Sequence, residues 1–323
     1  MIKIGLIGSS GHYGYALDII AQDPQLQLVG FAKSHPAERI PTHRAFQEHT
    51  QLFASPEELL DQNLDLVIVD SVYGFHGKFC IQAAERNLPI YCEKPVATNL
   101  EELAQLERLV IERGLPFGCM LDTRTHPLVQ RAKQLIEQGT LGEIALAFGQ
   151  KSYKFGSRPQ WFNDPALYGS SILWVAIHAI DWTRFLTGKE FCQVEAHTQH
   201  LLPEYPNLDS AGTLHFAFAD GGSAIISYDY HRHPRAKTHG DDRIRIVGTK
   251  GTLEARLDEN YLDISTDLTL EETSKKVPSL FAQFISYLRG EGATPIKAED
   301  IFATTRWALY AQLSAERREP VSD

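Results

Sequence analysis

Positive charge is in deficit in this chain: 31 Lys and Arg stand against 41 Asp and Glu over 323 residues, a formal net charge of -10. Nucleic acid and anionic membrane surfaces both need clustered cations to displace counterions, so neither is an expected partner. Cysteine is sparse too, with Cys80, Cys92, Cys119 and Cys192 far apart and no CxxC pair. That excludes a disulfide framework read from spacing, and the run from Met1 passes straight into a strand-like stretch ending at Gly8. The expected setting is therefore a reducing cytoplasm with free thiols. Long apolar runs are missing as well: stretches such as Leu66 to Val69 are broken within a few residues, far short of the ~20 that span a bilayer. Neither repeats nor low-complexity segments occur, and with 43% hydrophobic and 22% charged residues a fibrous or disordered chain is excluded. At roughly 150 residues per domain, two domains are expected.

The first third alternates short aliphatic runs with helical periodicity, the pattern of a parallel sheet covered by helices. Strands are read at Lys3 to Ile7, Leu26 to Phe31, Leu64 to Asp70, Pro89 to Cys92 and Pro116 to Met120. A helix follows the first strand until Pro24 stops it, and others are read at Gly77 to Arg86 and from an Asn99 cap, paired with Glu102, to Arg113. Beyond Asp122 the pattern becomes a helix (Pro127 to Gln138) and alternating strands such as Thr213 to Phe218 and Ser223 to Tyr230. Turns are read at Asp220 to Gly222 and Gly248 to Gly251, and helices at Leu167 to Leu186 and Glu299 to Arg317. The expectation is an α/β protein: a dinucleotide-binding Rossmann domain over residues 1–122, then an α+β domain over 123–323 with a largely antiparallel open sheet.

The first strand runs into Gly8-Ser9-Ser10-Gly11-His12-Tyr13-Gly14 and then a helix. A dinucleotide site needs glycines here, because a tight turn must bring peptide N–H groups and the helix N-terminus against the pyrophosphate. The spacing is GxxGxxG where the commoner fingerprint is GxGxxG. At the end of the second strand a carboxylate suits the adenosine ribose, whereas a cation suits a 2′-phosphate. The sequence offers Lys33 and Ser34 with no acid at the strand end, so NADP is favoured over NAD.

A third signal is Cys92-Glu93-Lys94-Pro95 at the end of another strand of the same sheet, on the carboxyl edge where such sheets bind ligands. Here the sequence resembles the Gfo/Idh/MocA oxidoreductase family, named for glucose-fructose oxidoreductase and inositol dehydrogenase. The resemblance runs over essentially the whole chain: the glycine turn, Asp65 to Asp70 leading to His76, the Glu93-Lys94-Pro95 triplet, Arg124 to Pro127, Gly169 to Asp181, Ile246 to Gly251 and Ser314 to Glu316. It implies a Rossmann domain holding NAD(P), with His76, Glu93 and Lys94 in the cofactor-facing set, and a second domain whose open sheet often forms the interface of a homo-oligomer, a dimer or tetramer. It implies oxidation or reduction of a secondary alcohol or carbonyl of a sugar, polyol or related small molecule, with Lys94 touching substrate and nicotinamide ribose.

The same resemblance exposes a departure. The family's second-domain signature is an aspartate, then a histidine four residues on and an aspartate three beyond; His178 and Asp181 match, but Trp174 stands at the first position. Spacings of four and three place all three on one helix face. A histidine, with an ordinary pKa near ~6.5, can accept the hydroxyl proton lost as hydride leaves the carbinol carbon, which makes His178 the candidate base. Lys94 would stabilise the developing alkoxide and Asp181 would orient the imidazole. Trp174 and Trp161 are candidate walls of the substrate pocket. The stretch holding His231, His233, His239, Asp241 and Asp242 lacks the controlled spacing of a zinc site, so no metal is expected. Two other readings stay open: a catalytically silent NAD(P)-binding metabolite sensor, suggested by Trp174, and an NAD-assisted lyase or glycosidase.

Overall fold

The computed structural model describes residues 1–47, 49–268 and 277–323. The chain forms two compact units. One comprises Met1–Leu121, Pro165–Gly169 and Pro278–Arg306, and the other Asp122–Asp164, Ser170–Val277 and Trp307–Asp323. The chain first crosses between Leu121 and Asp122, and two later segments return to the first unit.

The first unit is built on six parallel strands: β1 (Ile2–Ile7), β2 (Leu26–Ala32), β3 (Gln51–Phe53), β4 (Leu66–Val69), β5 (Ile90–Cys92) and β6 (Phe117–Cys119). Their order is β3-β2-β1-β4-β5-β6, the doubly wound arrangement whose order reverses between β1 and β4. Helices α1 (Tyr13–Ile20), α2 (Pro56–Leu60), α3 (His76–Glu85) and α4 (Leu100–Arg113) connect them. The α4 start follows its sequence signature: Asn99 accepts the Glu102 N–H at 2.8 Å and its amide reaches the Glu102 carboxylate at 3.0 Å. Ile4, Leu6, Leu28, Ile68 and Tyr91 bury one sheet face beneath α1, and Phe281, Phe284 and Ile285 from the returning segment close the same core. β3 was not anticipated. Three residues on a sheet edge, mostly exposed, carry no periodicity to read.

The second unit contains α5 (Pro127–Glu137) and an eight-stranded sheet of β7 (Ile144–Ser152), β8 (Phe191–Gln199), β9 (Ala211–Phe218), β10 (Ser223–Asp229), β11 (Arg243–Gly248), β12 (Gly251–Arg256), β13 (Tyr261–Thr266) and β14 (Val321–Ser322). The order is β13-β12-β11-β7-β10-β9-β8-β14, antiparallel throughout except where β10 runs parallel to β7. Alternation sets its faces. Leu214, Phe216 and Phe218 of β9 point into the core with Ala224, Ile226 and Tyr228 of β10, while Leu146 and Ile225 stand exposed on the other side. The remaining helices are α6 (Pro165–Tyr168), α7 (Ile177–Thr187), α8 (Leu280–Leu288) and α9 (Ala298–Arg317). Gly149 of β7 leaves room for α7: a Cβ there would meet Trp182 Nε1 at 3.1 Å and Ala179 at 3.2 Å.

The helix expected from Leu167 to Leu186 is not continuous. α6 stops at Tyr168, Gly169 takes φ +79°, and Ile172–Ala176 winds as a π-turn before α7 begins. Gly169 supplies a left-handed step that other residues adopt only under strain. Asp209, 38 residues further on, then receives the Ser171 N–H at 2.7 Å and the Ile172 N–H at 3.3 Å, giving the restart its cap. No helix among the described residues is long and apolar enough to cross a membrane.

Candidate active site

Beyond Ile7 the chain turns at Gly8, where φ is +79°. A Cβ at Gly8 would stand 2.5 Å from Ser71 Cα and 2.6 Å from the Asp70 carbonyl oxygen, backbone that cannot give way, and one at Gly11 would stand 2.6 Å from Glu93 Oε2. Packing against the ends of β4 and β5 therefore dictates the first two glycines. At Gly14 nothing lies within 4 Å of such an atom. The turn is open on that side, where a cavity of about 370 Å³ is lined by Gly11 to Tyr15 with Pro41, Thr42 and His43. This backbone suits a dinucleotide.

The side chains around it are acidic. Asp70 Oδ1 receives the Gly11 N–H, Asp70 Oδ2 the Tyr13 N–H at 2.7 Å, and Glu93 Oε2 both the His12 N–H at 2.8 Å and His12 Nδ1 at 2.5 Å. Asp70 and Glu93 are both fully buried. Burial, then the charge of Glu93, holds the Asp70 carboxyl well above its ordinary range. Burial pushes Glu93 the same way, but His12 and Lys94 together outweigh it and bring that carboxyl down to about 2.

A third carboxylate, Glu38, lies six residues past β2. Oε1 receives Ser10 Oγ at 2.7 Å, Ser34 Oγ at 2.8 Å and the Ser9 N–H at 3.3 Å. Oε2 receives the Ser34 N–H at 2.6 Å and the His35 N–H at 3.1 Å. Glu38 thus ties the glycine turn to the end of β2, while Lys33 is exposed. Sequence reasoning missed Glu38 because its segment has no periodicity; its one signal is that it is the first acid after β2.

Lys94 is 1% exposed, and its N–H donates to Glu93 Oε1 at 2.8 Å. The Lys94–Pro95 peptide is cis. His76 is buried with Nδ1 2.7 Å from the Pro95 carbonyl and Nε2 2.9 Å from the Ser71 carbonyl. Each ring nitrogen lies against a backbone carbonyl, and a neutral imidazole donates to one of the two, so His76 links the loops after β4 and β5. Burial lowers its pKa despite those carbonyls and Glu93.

In the second unit Trp174, His178 and Asp181 are all buried. The Ile177 N–H reaches the Ile172 carbonyl, a five-residue step, so the expected face of Trp174, His178 and Asp181 is offset by the wider π-turn at its first member. Asp181 is gripped by Arg124, whose Nε lies 3.1 and 3.0 Å from the two carboxylate oxygens and whose Nη2 lies 2.6 Å from Oδ1. Trp161 is buried against Phe162, ring centroids 4.6 Å apart. In the His and Asp stretch, Asp241 pairs with Arg232 and Arg243, Asp242 with Lys151, and His231 with Ser210. No group of three or more His, Cys, Asp or Glu among the described residues could hold a metal ion.

A doubly wound sheet, a glycine turn at its carboxyl edge and a buried lysine at the end of β5 define an NAD(P)-dependent oxidoreductase. Residues 2–120 match the model of an oxidoreductase family with an NAD-binding Rossmann fold, and residues 129–254 that of the GFO/IDH/MocA C-terminal domain. The chain belongs to the Gfo/Idh/MocA family. It is similar to a protein of solved structure from Thermotoga maritima, 32% identical with a TM-score of 0.90 over 100% of each chain. It is also similar to scyllo-inositol 2-dehydrogenase (NAD(+)) of Bacillus subtilis, 27% identical over 76% of this chain and 71% of that protein. D-xylose 1-dehydrogenase (NADP(+)) 2 of Haloferax volcanii is 29% identical over 73% and 71%.

The Arg124 and Asp181 pair is a buried ion pair whose removal from one side is costly. Arg124→Met should destabilise the protein by about 3–5 kcal/mol in urea unfolding, since Asp181 loses three charge-assisted hydrogen bonds in a dry site. Arg124→Met with Asp181→Leu should recover most of that loss; a double variant as unstable as the single would show that the pair is not the source.

Proposed function

We propose that the protein oxidises or reduces a secondary alcohol or carbonyl of a sugar or polyol, with Lys94 and His178 as the catalytic residues. The observation that carries the reading is Lys94, a fully buried cation at the carboxyl edge of the dinucleotide-binding sheet. The bound nicotinamide supplies the hydride acceptor or donor. His178 takes the hydroxyl proton as the alcohol is oxidised, or returns it in reduction. Lys94 stabilises the oxygen as it gains negative charge, an ammonium already desolvated and therefore strongly felt. Asp181, committed to Arg124, steadies α7 and so positions His178. Trp174 and Trp161 give the substrate pocket aromatic walls suited to a sugar ring. The inositol and xylose dehydrogenases among the relatives support this substrate class.

Absorbance of the reduced nicotinamide against a panel of sugars and polyols tests this reading. Lys94→Ala should abolish turnover while cofactor affinity stays within about tenfold, and His178→Ala should lower kcat far more than it changes KM. Trp174→Ala should do the reverse, because a packing contact serves ground state and transition state alike. Undiminished turnover in His178→Ala would remove that residue from the reaction. A wild-type protein inert toward the whole panel would favour the silent sensor, and product formed without net reduced cofactor the NAD-assisted lyase or glycosidase.

The cofactor preference follows from Glu38. Lys33 argued for NADP, but a carboxylate between the glycine turn and the end of β2 repels a 2′-phosphate and accepts ribose hydroxyls. NAD(H) should therefore bind more tightly than NADP(H) by about tenfold or more, and Glu38→Gln should narrow the gap. Tighter NADP(H) binding, reversed by Lys33→Asp, would return the choice to Lys33.

The open face of the second unit's sheet, with Leu146 and Ile225 exposed on neighbouring strands, suits packing against a second copy. Light scattering should give a dimer or tetramer, and Ile225→Arg should shift it toward monomer; a monomeric wild type would exclude the interface.

A further inference from the structure

The turn between β1 and α1 is held from inside by a carboxylate that dinucleotide chemistry does not call for. Asp70, at the end of β4 and fully buried, takes the Gly11 N–H on one oxygen and the Tyr13 N–H on the other. These are donors at the opening of a helix, where free N–H groups and the helix dipole attract an anion. A pyrophosphate brought to the same turn asks for the same donors. We propose that Asp70 is an internal occupant of the pyrophosphate subsite, so that a dinucleotide binds as the Asp70 carboxylate gives up these amides and takes a proton. The inference rests on the dinucleotide reading of the turn.

The surroundings of Asp70 make the proton necessary. Glu93 faces it from the end of β5, Glu38 from the segment after β2, and the Tyr13 hydroxyl from the start of α1; His12, Lys94 and His76 lie beyond, next to Glu93. Two of these neighbours are carboxylates, and His12 and Lys94 act on Glu93 and not on Asp70. An ionised Asp70 stripped of its two amide donors, in a dry site beside Glu93 and an incoming phosphate, is far costlier than the neutral acid. Burial and Glu93 already hold the carboxyl well above its ordinary range before a ligand arrives, and a phosphate raises it further. Affinity is then greatest at low pH, where Asp70 is neutral with or without ligand. It falls by up to about tenfold per pH unit once the free protein has lost the proton that the complex keeps.

The test titrates wild type and Asp70→Asn with NADH by nicotinamide fluorescence from about pH 5.5 to about pH 9, with calorimetry of the wild type in two buffers of different protonation heat. The wild-type Kd should rise with pH, and calorimetry should read uptake of up to about one proton per cofactor in the same range. Asp70→Asn should lose the slope and bind about tenfold more tightly than wild type at the alkaline end. A flat wild-type profile with no proton uptake overturns the proposal, and that measurement decides the matter even if the variant does not fold. So does a variant that keeps the wild-type slope, which belongs then to His12 or Glu93, or one that binds more weakly at every pH, as a purely structural brace would. Binding by neither protein at any pH overturns the dinucleotide reading itself; pH-independent binding overturns this inference alone.

Discussion

Peptide N–H groups at the start of a helix have no carbonyl of their own to bond, and the first unit is organised around those of α1. They lie at the carboxyl edge of a parallel sheet, at the point where strand order reverses from β1 to β4. Every strand that ends beside them sends a polar group: Asp70 from β4, Glu93 from β5, and Glu38 from just past β2. The glycines follow from the same constraint, since Gly8 and Gly11 are where those strand ends press closest on the turn. An anion-binding turn lined by anions is a tense arrangement electrostatically, relieved around Glu93 by His12 and Lys94, while burial and Glu93 raise the Asp70 carboxyl above its ordinary range.

Lys94 and Glu93 serve two purposes from adjacent positions. Glu93 is turned to the helix start, where it secures His12, while Lys94 places a buried cation at the end of β5. His76 supports both from its place between the Ser71 and Pro95 carbonyls. In the second unit the equivalent supports are Arg124 on Asp181 and Asp209 on the restarted helix, so that His178 stands on a helix fixed at its start and along its length.

Much of this was legible in the chain. Buried parallel strands appear as short apolar runs between turns, which is why five of the six strands in the first sheet were read from pattern. The glycine turn, Lys94 and the matched His178 and Asp181 stood in motifs whose order carries meaning. The break between α6 and α7 was not legible, because apolar periodicity continues through the π-turn and the cap that restarts the helix comes from Asp209, 38 residues away. Nor was the partner of Asp181 legible, since Arg124 lies 57 residues away.

The sequence by itself determined the class of fold and the edge of the sheet that carries the glycine turn, because periodicity and local motifs are properties of neighbours along the chain. Only the tertiary structure decided what surrounds the glycine turn. Asp70, Glu38 and Glu93 come from three separate strand ends, and nothing local distinguishes an acid that ends in solvent from one folded against a helix start. Their hydrogen bonds, and the pKa shifts of Asp70 and Glu93, arise from burial and mutual distance, quantities that exist only once the strands are side by side.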